Sequence, residues 1–180
     1  MPAVLKSAAP RSGPLPVIAH APQFAFVDQN NRHVSRDQMR GKVWIADFIF
    51  TQCGGTCPIM TDKMRGLQQQ IPDPRVEFIS FDVDPEHDDI AALKAYAQEH
   101  KADESRWHFL ATRDMDSVLK VAEGLKVSGK PLEKDNPILH ADRFLLIDSA
   151  GSLRGSYYAG DQGAMTRLVR DALALARQHN

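Results

Sequence analysis

The chain alternates between short apolar runs and segments in which apolar side chains recur with the period of a helix. Residues 42–50 and 76–83 are near-continuous apolar runs rich in β-forming residues, which is typical of strands covered on both faces. A third strand is predicted at residues 107–112. Helices are predicted at residues 58–71, 84–97, 116–125 and 163–178. Strands that alternate with helices in this way indicate a largely parallel sheet.

Two hairpins are predicted on either side of this region. Residues 24–34 are expected to form the first, because Asn30 and Asn31 can supply the positive φ of a tight turn. Residues 143–148 and 153–158 are expected to pair around a turn in the second. Hairpin strands run antiparallel, so the predicted fold is α/β: a mixed central β-sheet flanked by helices on both faces, with an N-terminal β-hairpin.

The first 22 residues differ in composition from the rest of the chain. They contain five prolines and several alanines and serines, and they lack a continuous apolar stretch. We therefore expect residues 1–22 to be a flexible leader or linker and not a signal peptide. Residues 23–180 are expected to form one domain, since a chain of this length usually folds around a single core.

Composition narrows the function. Lys and Arg number 22 against 23 Asp and Glu, which gives a net charge of −1 with no basic cluster. A nucleic-acid partner is therefore not expected. No stretch approaches the roughly 20 apolar residues that a membrane span requires, so no span is expected either.

The only two cysteines of the chain, Cys53 and Cys57, form a C-x3-C pair between the strand at 42–50 and the helix that follows it. A helix N-terminus lowers the pKa of a thiol, and Pro58 suits the first turn of that helix. Such a pair can cycle between dithiol and disulfide or can bind a soft metal ion. A purely structural disulfide is less attractive, because so short a loop would constrain little chain entropy.

His140 is the candidate for a third group at this site. It follows a long segment without clear periodicity, residues 126–139, and it precedes the strand predicted at 143–148. Two thiolates and an imidazole suit copper, as Cu(I) or Cu(II), whereas a structural zinc site would need four ligands. The peroxiredoxin pattern is absent around either cysteine. The other histidines are expected to be surface or hydrogen-bonded core residues: His20, His33, His87, His100, His108 and His179.

Three aspartates lie near the predicted strand ends. Asp84 is expected to cap the helix that starts there, and Asp82 to face solvent. Asp47 interrupts an apolar strand and should have a hydrogen-bonding partner if it is buried, with a role near the site as a further hypothesis. Met60 and Met64, four residues apart, are expected to pack in the core.

Three separated segments resemble the Sco/SenC family. They are GKVWIADFIFTQCGGTCPIMT at 41–61, FISFDVDPE at 78–86, and His140 ahead of FLLID at 144–148. The resemblance extends from about Gln23 to the end of the chain. It implies a thioredoxin-like fold and copper binding through Cys53, Cys57 and His140.

Family members help to assemble the dinuclear copper centre of cytochrome c oxidase, as metallochaperones, as thiol reductants, or as both. By this resemblance the expected partners are the copper subunit of the oxidase and other copper chaperones or thiol reductants. The expected location is the periplasmic side of the inner membrane, and no anchor or signal is recognisable in these 180 residues.

Two alternatives stay open at this point. The protein could be an enzyme, a thiol-disulfide oxidoreductase that uses Cys53 and Cys57 on partner cysteines. It could also be a copper-responsive signalling or scavenging protein.

Overall fold

The computed structural model describes residues 13–52, 54–111, 114–127 and 142–178. Within these ranges the strands are β1 Ala19–His20, β2 Ala25–Asp28, β3 His33–Ser35, β4 Val43–Ile49, β5 Val76–Asp82, β6 Trp107–Ala111, β7 Arg143–Ile147 and β8 Ser152–Tyr158. The helices are α1 Thr56–Gln70, α2 Ile90–Glu99, α3 Met115–Gly124 and α4 Gln162–Arg177.

The strands form one mixed sheet with the order β1-β8-β7-β4-β5-β6-β2-β3. Strands β4, β5 and β6 run parallel, while β7 lies antiparallel to β4 and β2 antiparallel to β6. Both predicted hairpins are present, and Asn31 has the positive φ expected of the first turn. The predicted mixed α/β sheet is confirmed.

Helices cover both faces of the sheet, as predicted. Side chains alternate along β4, so Ile45 and Ile49 face one core and Trp44 and Phe48 the other. Apolar residues of α1, α2 and α4 fill the first core, and those of α3 and the β2–β3 hairpin fill the second. Met60 and Met64 are buried in the first core, so their predicted packing role is confirmed.

Strand β1 was not predicted, because it lies within the expected flexible leader. It pairs antiparallel with β8, and the amides of Ile18 and Ala21 donate to the carbonyls of Leu153 and Gly151, both at 2.8 Å. A two-residue strand has no periodicity that a sequence pattern could reveal. Residues 18–21 of the expected leader are therefore hydrogen-bonded to the sheet, while residues 1–12 lie outside the described part of the chain.

Helix α2 starts later than predicted. Its N-cap is Asp89, whose carboxylate accepts a hydrogen bond from the amide of Ala92 at 2.7 Å. Asp84, the predicted cap, instead closes a turn, because its carbonyl accepts from the amides of His87 and Asp88 at 3.0 and 2.9 Å. The helix signal at Asp84-Pro85 was thus a turn signal, since Asp and Pro favour both structures.

His108 on β6 bridges two carboxylates on the side of the sheet that faces α3. Its Nδ1 lies 3.1 Å from Asp28 Oδ2, and its Nε2 lies 3.2 Å from Glu77 Oε2. Burial disfavours the charged imidazole, but the hydrogen bonds to Glu77 and Asp28 outweigh this and raise the pKa of His108. The imidazolium therefore links β6 to β5 and β2.

We expect His108→Gln to destabilise the protein by about 1–2 kcal/mol at pH 6 and by less at pH 9. A histidine whose pKa is raised by folding contributes stability that is complete below its unfolded pKa and is lost as pH rises through its folded pKa. Urea unfolding at both pH values measures the difference, with the exposed His33→Gln as control. An equal loss at pH 6 and pH 9 would contradict the assignment.

Candidate metal centre

Cys57 is the cysteine that the described residues contain, and it lies in the first turn of α1. Its side chain is buried, with 8% exposed. The helix begins at Thr56, and its N-cap Gly55 provides no side-chain hydrogen bond to the first amides. The thiol of Cys57 therefore lies at the positive end of the α1 dipole, at a helix start without a side-chain cap. Cys53 and His140 lie outside the described residues.

The carboxyl ends of β4 and β5 form the edge of the sheet on which this turn is built. Ile49 and Asp82 are paired at that edge, and the amide of Val83 donates to the carbonyl of Ile49 at 2.9 Å. Strand β7 runs antiparallel to β4, and Ala46 pairs with Leu145, so the chain enters β7 beside the same edge. Ligand sites of open α/β sheets gather at such an edge.

Asp82, expected to face solvent, is instead fully buried. Its Oδ1 accepts a hydrogen bond from the amide of Asp84 at 3.1 Å, and its Oδ2 has no hydrogen-bond partner among the described residues. Burial, reinforced by the charges of Asp88 and Asp84, raises the pKa of Asp82 to about 8. The prediction was wrong because the buried part of β5 extends to its last residue.

Asp47 is buried in β4 on the same face and has the partner that the sequence required. Ser80 Oγ donates to Asp47 Oδ1 at 2.6 Å, and Trp107 Nε1 donates to Ser80 Oγ at 3.0 Å. Burial raises the pKa of Asp47 to about 7, although the hydrogen bond from Ser80 lowers it. This edge of the sheet therefore holds two carboxyl groups whose pKa values burial raises, to about 7 for Asp47 and to about 8 for Asp82.

Asp88 contacts the loop that precedes α1 and carries Cys53, a role that the sequence did not suggest. Its Oδ2 accepts a hydrogen bond from the amide of Thr51 at 2.6 Å, and its Oδ1 accepts from Thr51 Oγ1. Asp88 is buried, with 4% exposed. In the sequence it stands within the polar run Glu86–Asp89, which resembles a solvated turn, so no local signal distinguishes it.

The described histidines occupy the surface or hydrogen-bonded positions that were expected. His20, His87, His100 and His108 each lie within hydrogen-bond distance of a serine or a carboxylate, and His33 is exposed, while His179 lies outside the described residues. In the ranges that the structure describes, no three His, Cys, Asp or Glu side chains converge as a metal site. The described helices include none that is long and apolar enough to cross a membrane. The predicted ligand set thus stays a prediction that joins Cys57 to Cys53 and His140.

Comparison with known proteins agrees with this architecture. The SCO1/SenC family model matches residues 15–174 of the chain. The chain belongs to the SCO1/SenC family. A SCO1/SenC family lipoprotein from Bacillus anthracis has a similar structure, with a TM-score of 0.80 at 31% identity over 88% of this chain and 95% of that one.

Two further members extend the comparison. BsSco, in which a disulfide switch was identified, is a Sco-family cytochrome c oxidase assembly protein; its TM-score is 0.80 at 29% identity over 91% of this chain and 97% of that one. A Stutzerimonas stutzeri protein named for copper binding is 29% identical over 141 residues, which span 74% of this chain and 67% of the relative. The family prediction and the thioredoxin-like fold are confirmed.

Proposed function

We propose that this protein is a copper-binding assembly factor that delivers copper to the dinuclear copper centre of cytochrome c oxidase, or reduces the oxidised cysteines of that centre to thiols. The observation that carries the proposal is Cys57, a buried thiol in the first turn of an α1 helix that has no side-chain cap. Cys53 precedes it in the C-x3-C pair. Membership of the SCO1/SenC family and the assembly role of BsSco support the same function.

The donor set suits copper as cargo. Cys53 and Cys57 as thiolates and His140 as a neutral imidazole would bind Cu(I) or Cu(II), because soft thiolates select copper and imidazole accommodates both valences. Oxidation of the two thiolates to a disulfide transfers two electrons to an acceptor and removes both sulfur ligands. Metal binding and thiol oxidation are therefore one coupled equilibrium.

The raised pKa values of Asp47 and Asp82 limit negative charge at this edge of the sheet. Both residues lie on the sheet face that α1 covers, and at pH 7 most of the Asp82 population and about half of the Asp47 population are neutral. Two thiolates bound to copper at this edge of the sheet would otherwise share it with two more anions. Neutral carboxyls thus favour the thiolate form that copper requires.

The proposed setting follows from the family. The copper-receiving partner is the copper subunit of cytochrome c oxidase, with other copper chaperones or thiol reductants as donors of metal or electrons. The proposed location is the periplasmic side of the inner membrane, in keeping with the lipoprotein nature of the Bacillus anthracis relative. A dedicated thiol-disulfide oxidoreductase, which would act without copper, is the alternative to exclude.

We expect His140→Ala to weaken Cu(II) binding by more than about a hundredfold, because loss of a ligand should exceed the 10–100-fold cost of changes behind a ligand. Titration of the reduced protein with Cu(II), followed through the sulfur-to-copper charge-transfer band, measures the effect. The matched control is His87→Ala, an exposed histidine in the turn after β5 that binds Asp84. Unchanged Cu(II) binding in His140→Ala would refute the three-ligand site.

A further inference from the structure

The contact between Asp88 and Thr51 joins two loops at the carboxyl edge of the sheet. Thr51 belongs to the loop at 50–55, which runs from β4 to α1 and carries Cys53. Asp88 belongs to the turn between β5 and α2, 37 residues away in the sequence. One carboxylate therefore accepts both the backbone amide and the hydroxyl of a residue two positions before Cys53.

The Asp88 side of the contact is firmly anchored. The amide of Asp88 donates to the carbonyl of Asp84 at 2.9 Å, and the next residue, Asp89, caps α2. The turn itself is tied to the sheet, since the amide of Val83 donates to the carbonyl of Ile49 at 2.9 Å. Asp88 thus connects Thr51 to a turn that is itself hydrogen-bonded to β4 and to the start of α2.

The part of the loop next to Cys57 has few packing contacts around its two glycines. Gly54 and Gly55 have open space where a Cβ would stand, with no atom within 4 Å. Two successive glycines add backbone freedom that must be lost when the loop is ordered. Hydrogen bonds from a buried carboxylate to Thr51 are therefore well placed to restrict this loop.

The charge of Asp88 is consistent with such a role. Asp82, fully buried beside it in the fold, is held neutral near pH 7 chiefly by its burial, and the negative charge of Asp88 adds to that effect. Of the other aspartates of this turn, Asp84 pairs with His87, and Asp89 accepts a hydrogen bond from the amide of Ala92. Asp88 is then the carboxylate of this turn that is committed to the cysteine loop.

We propose that Asp88 is a positioning residue for the metal site: by accepting two hydrogen bonds from Thr51 it restrains the backbone that leads from β4 to Cys57. The proposal rests on the proposed function for its copper consequence, but its effect on the two thiols does not depend on copper. A loop already ordered loses less entropy when it closes on a metal ion or on the second sulfur. Loss of the contact should weaken copper binding and disfavour the disulfide.

The test compares variants in two measurements. Asp88→Ala removes both hydrogen bonds, and Thr51→Val removes the one from the hydroxyl. Asp88→Asn keeps polar atoms at the positions of the two carboxylate oxygens, and Thr51→Ser keeps the hydroxyl donor. The matched control is Asp148→Ala, a buried aspartate that accepts the amides of Ala150 and Ser152 at the opposite edge of the sheet. The measurements are Cu(II) affinity and, without copper, the dithiol–disulfide equilibrium against glutathione.

We expect Asp88→Ala to lose about ten- to a hundredfold in Cu(II) affinity and to shift the thiol equilibrium toward the dithiol. Thr51→Val should show a smaller loss of both properties. Asp88→Asn and Thr51→Ser should retain most of the wild-type affinity and thiol equilibrium. The double variant Asp88→Ala/Thr51→Val should be no worse than Asp88→Ala. Equal effects in Asp148→Ala, or strictly additive effects of Asp88→Ala and Thr51→Val, would overturn the positioning role. If the wild-type protein bound no copper, the proposed function would fail, and the thiol equilibrium would still decide the role of Asp88.

Discussion

Cys57→Ser, which exchanges one sulfur atom for oxygen, is expected to reduce copper affinity by more than about a hundredfold. Serine preserves the size of the side chain and the first turn of α1, but it replaces a soft thiolate with a hydroxyl that stays protonated and is a poor copper ligand. The same change prevents disulfide formation with Cys53. Competition against a chromophoric copper chelator under reducing conditions measures the affinity.

The control for this variant is Met60→Leu. Met60 lies in α1 about one turn after Cys57, is buried in the core, and carries a thioether sulfur instead of a thiol. A volume-conserving change should leave copper binding intact and alter stability little. If Met60→Leu lost copper as severely as Cys57→Ser, the loss would reflect disturbance of α1 or a thioether ligand and not the thiolate of Cys57.

The second large effect concerns Asp82 and Asp47. Their folded pKa values of about 8 and about 7 lie above the ordinary value of 3.8. Between about pH 4 and these values the folded protein binds more protons than the unfolded chain, so the free energy of unfolding falls as pH rises. Each carboxyl contributes a slope of up to about 1.4 kcal/mol per pH unit.

We therefore expect Asp82→Asn to be more stable than the wild-type protein at pH 8 by at least about 1 kcal/mol, with the difference shrinking toward pH 5. Asp47→Asn should behave in the same way over a window that ends about one pH unit lower. Urea unfolding across pH 5–9 measures both, and the exposed Asp62→Asn serves as control. A difference from the wild type that does not change with pH would show that these carboxyls are not protonated in the folded protein.

The fold could be predicted well because its signals are local. The apolar run that became β4 is buried at every residue, and the amphipathic pattern of α4 matches the residues that it buries. Failures occurred where the same residues suit two structures. Asp84-Pro85 favours a turn as much as a helix start, and the pairing of β1 with β8 depends on a partner more than 130 residues away.

The candidate site was predictable only in part. The spacing of Cys53 and Cys57 is visible in the sequence because it is local, as is the position of Cys57 at the start of a helix. The buried state of Asp82 and the contact of Asp88 with Thr51 depend on how β5 and α2 pack against the cysteine loop. A charged residue in a polar turn has no sequence signature that separates solvation from burial, so these residues became visible only in the fold.

Titration of the fully reduced wild-type protein with Cu(II), beside Cys57→Ser, tests whether Cys57 is a copper ligand. We expect one tightly bound copper per wild-type chain with a sulfur-to-copper charge-transfer band, and neither the band nor tight binding in the variant. A disulfide-reductase assay on the copper-free protein accompanies the titration. A wild-type protein that binds copper weakly, shows no such band and reduces partner disulfides with turnover would instead be a thiol-disulfide oxidoreductase, contrary to the proposed function.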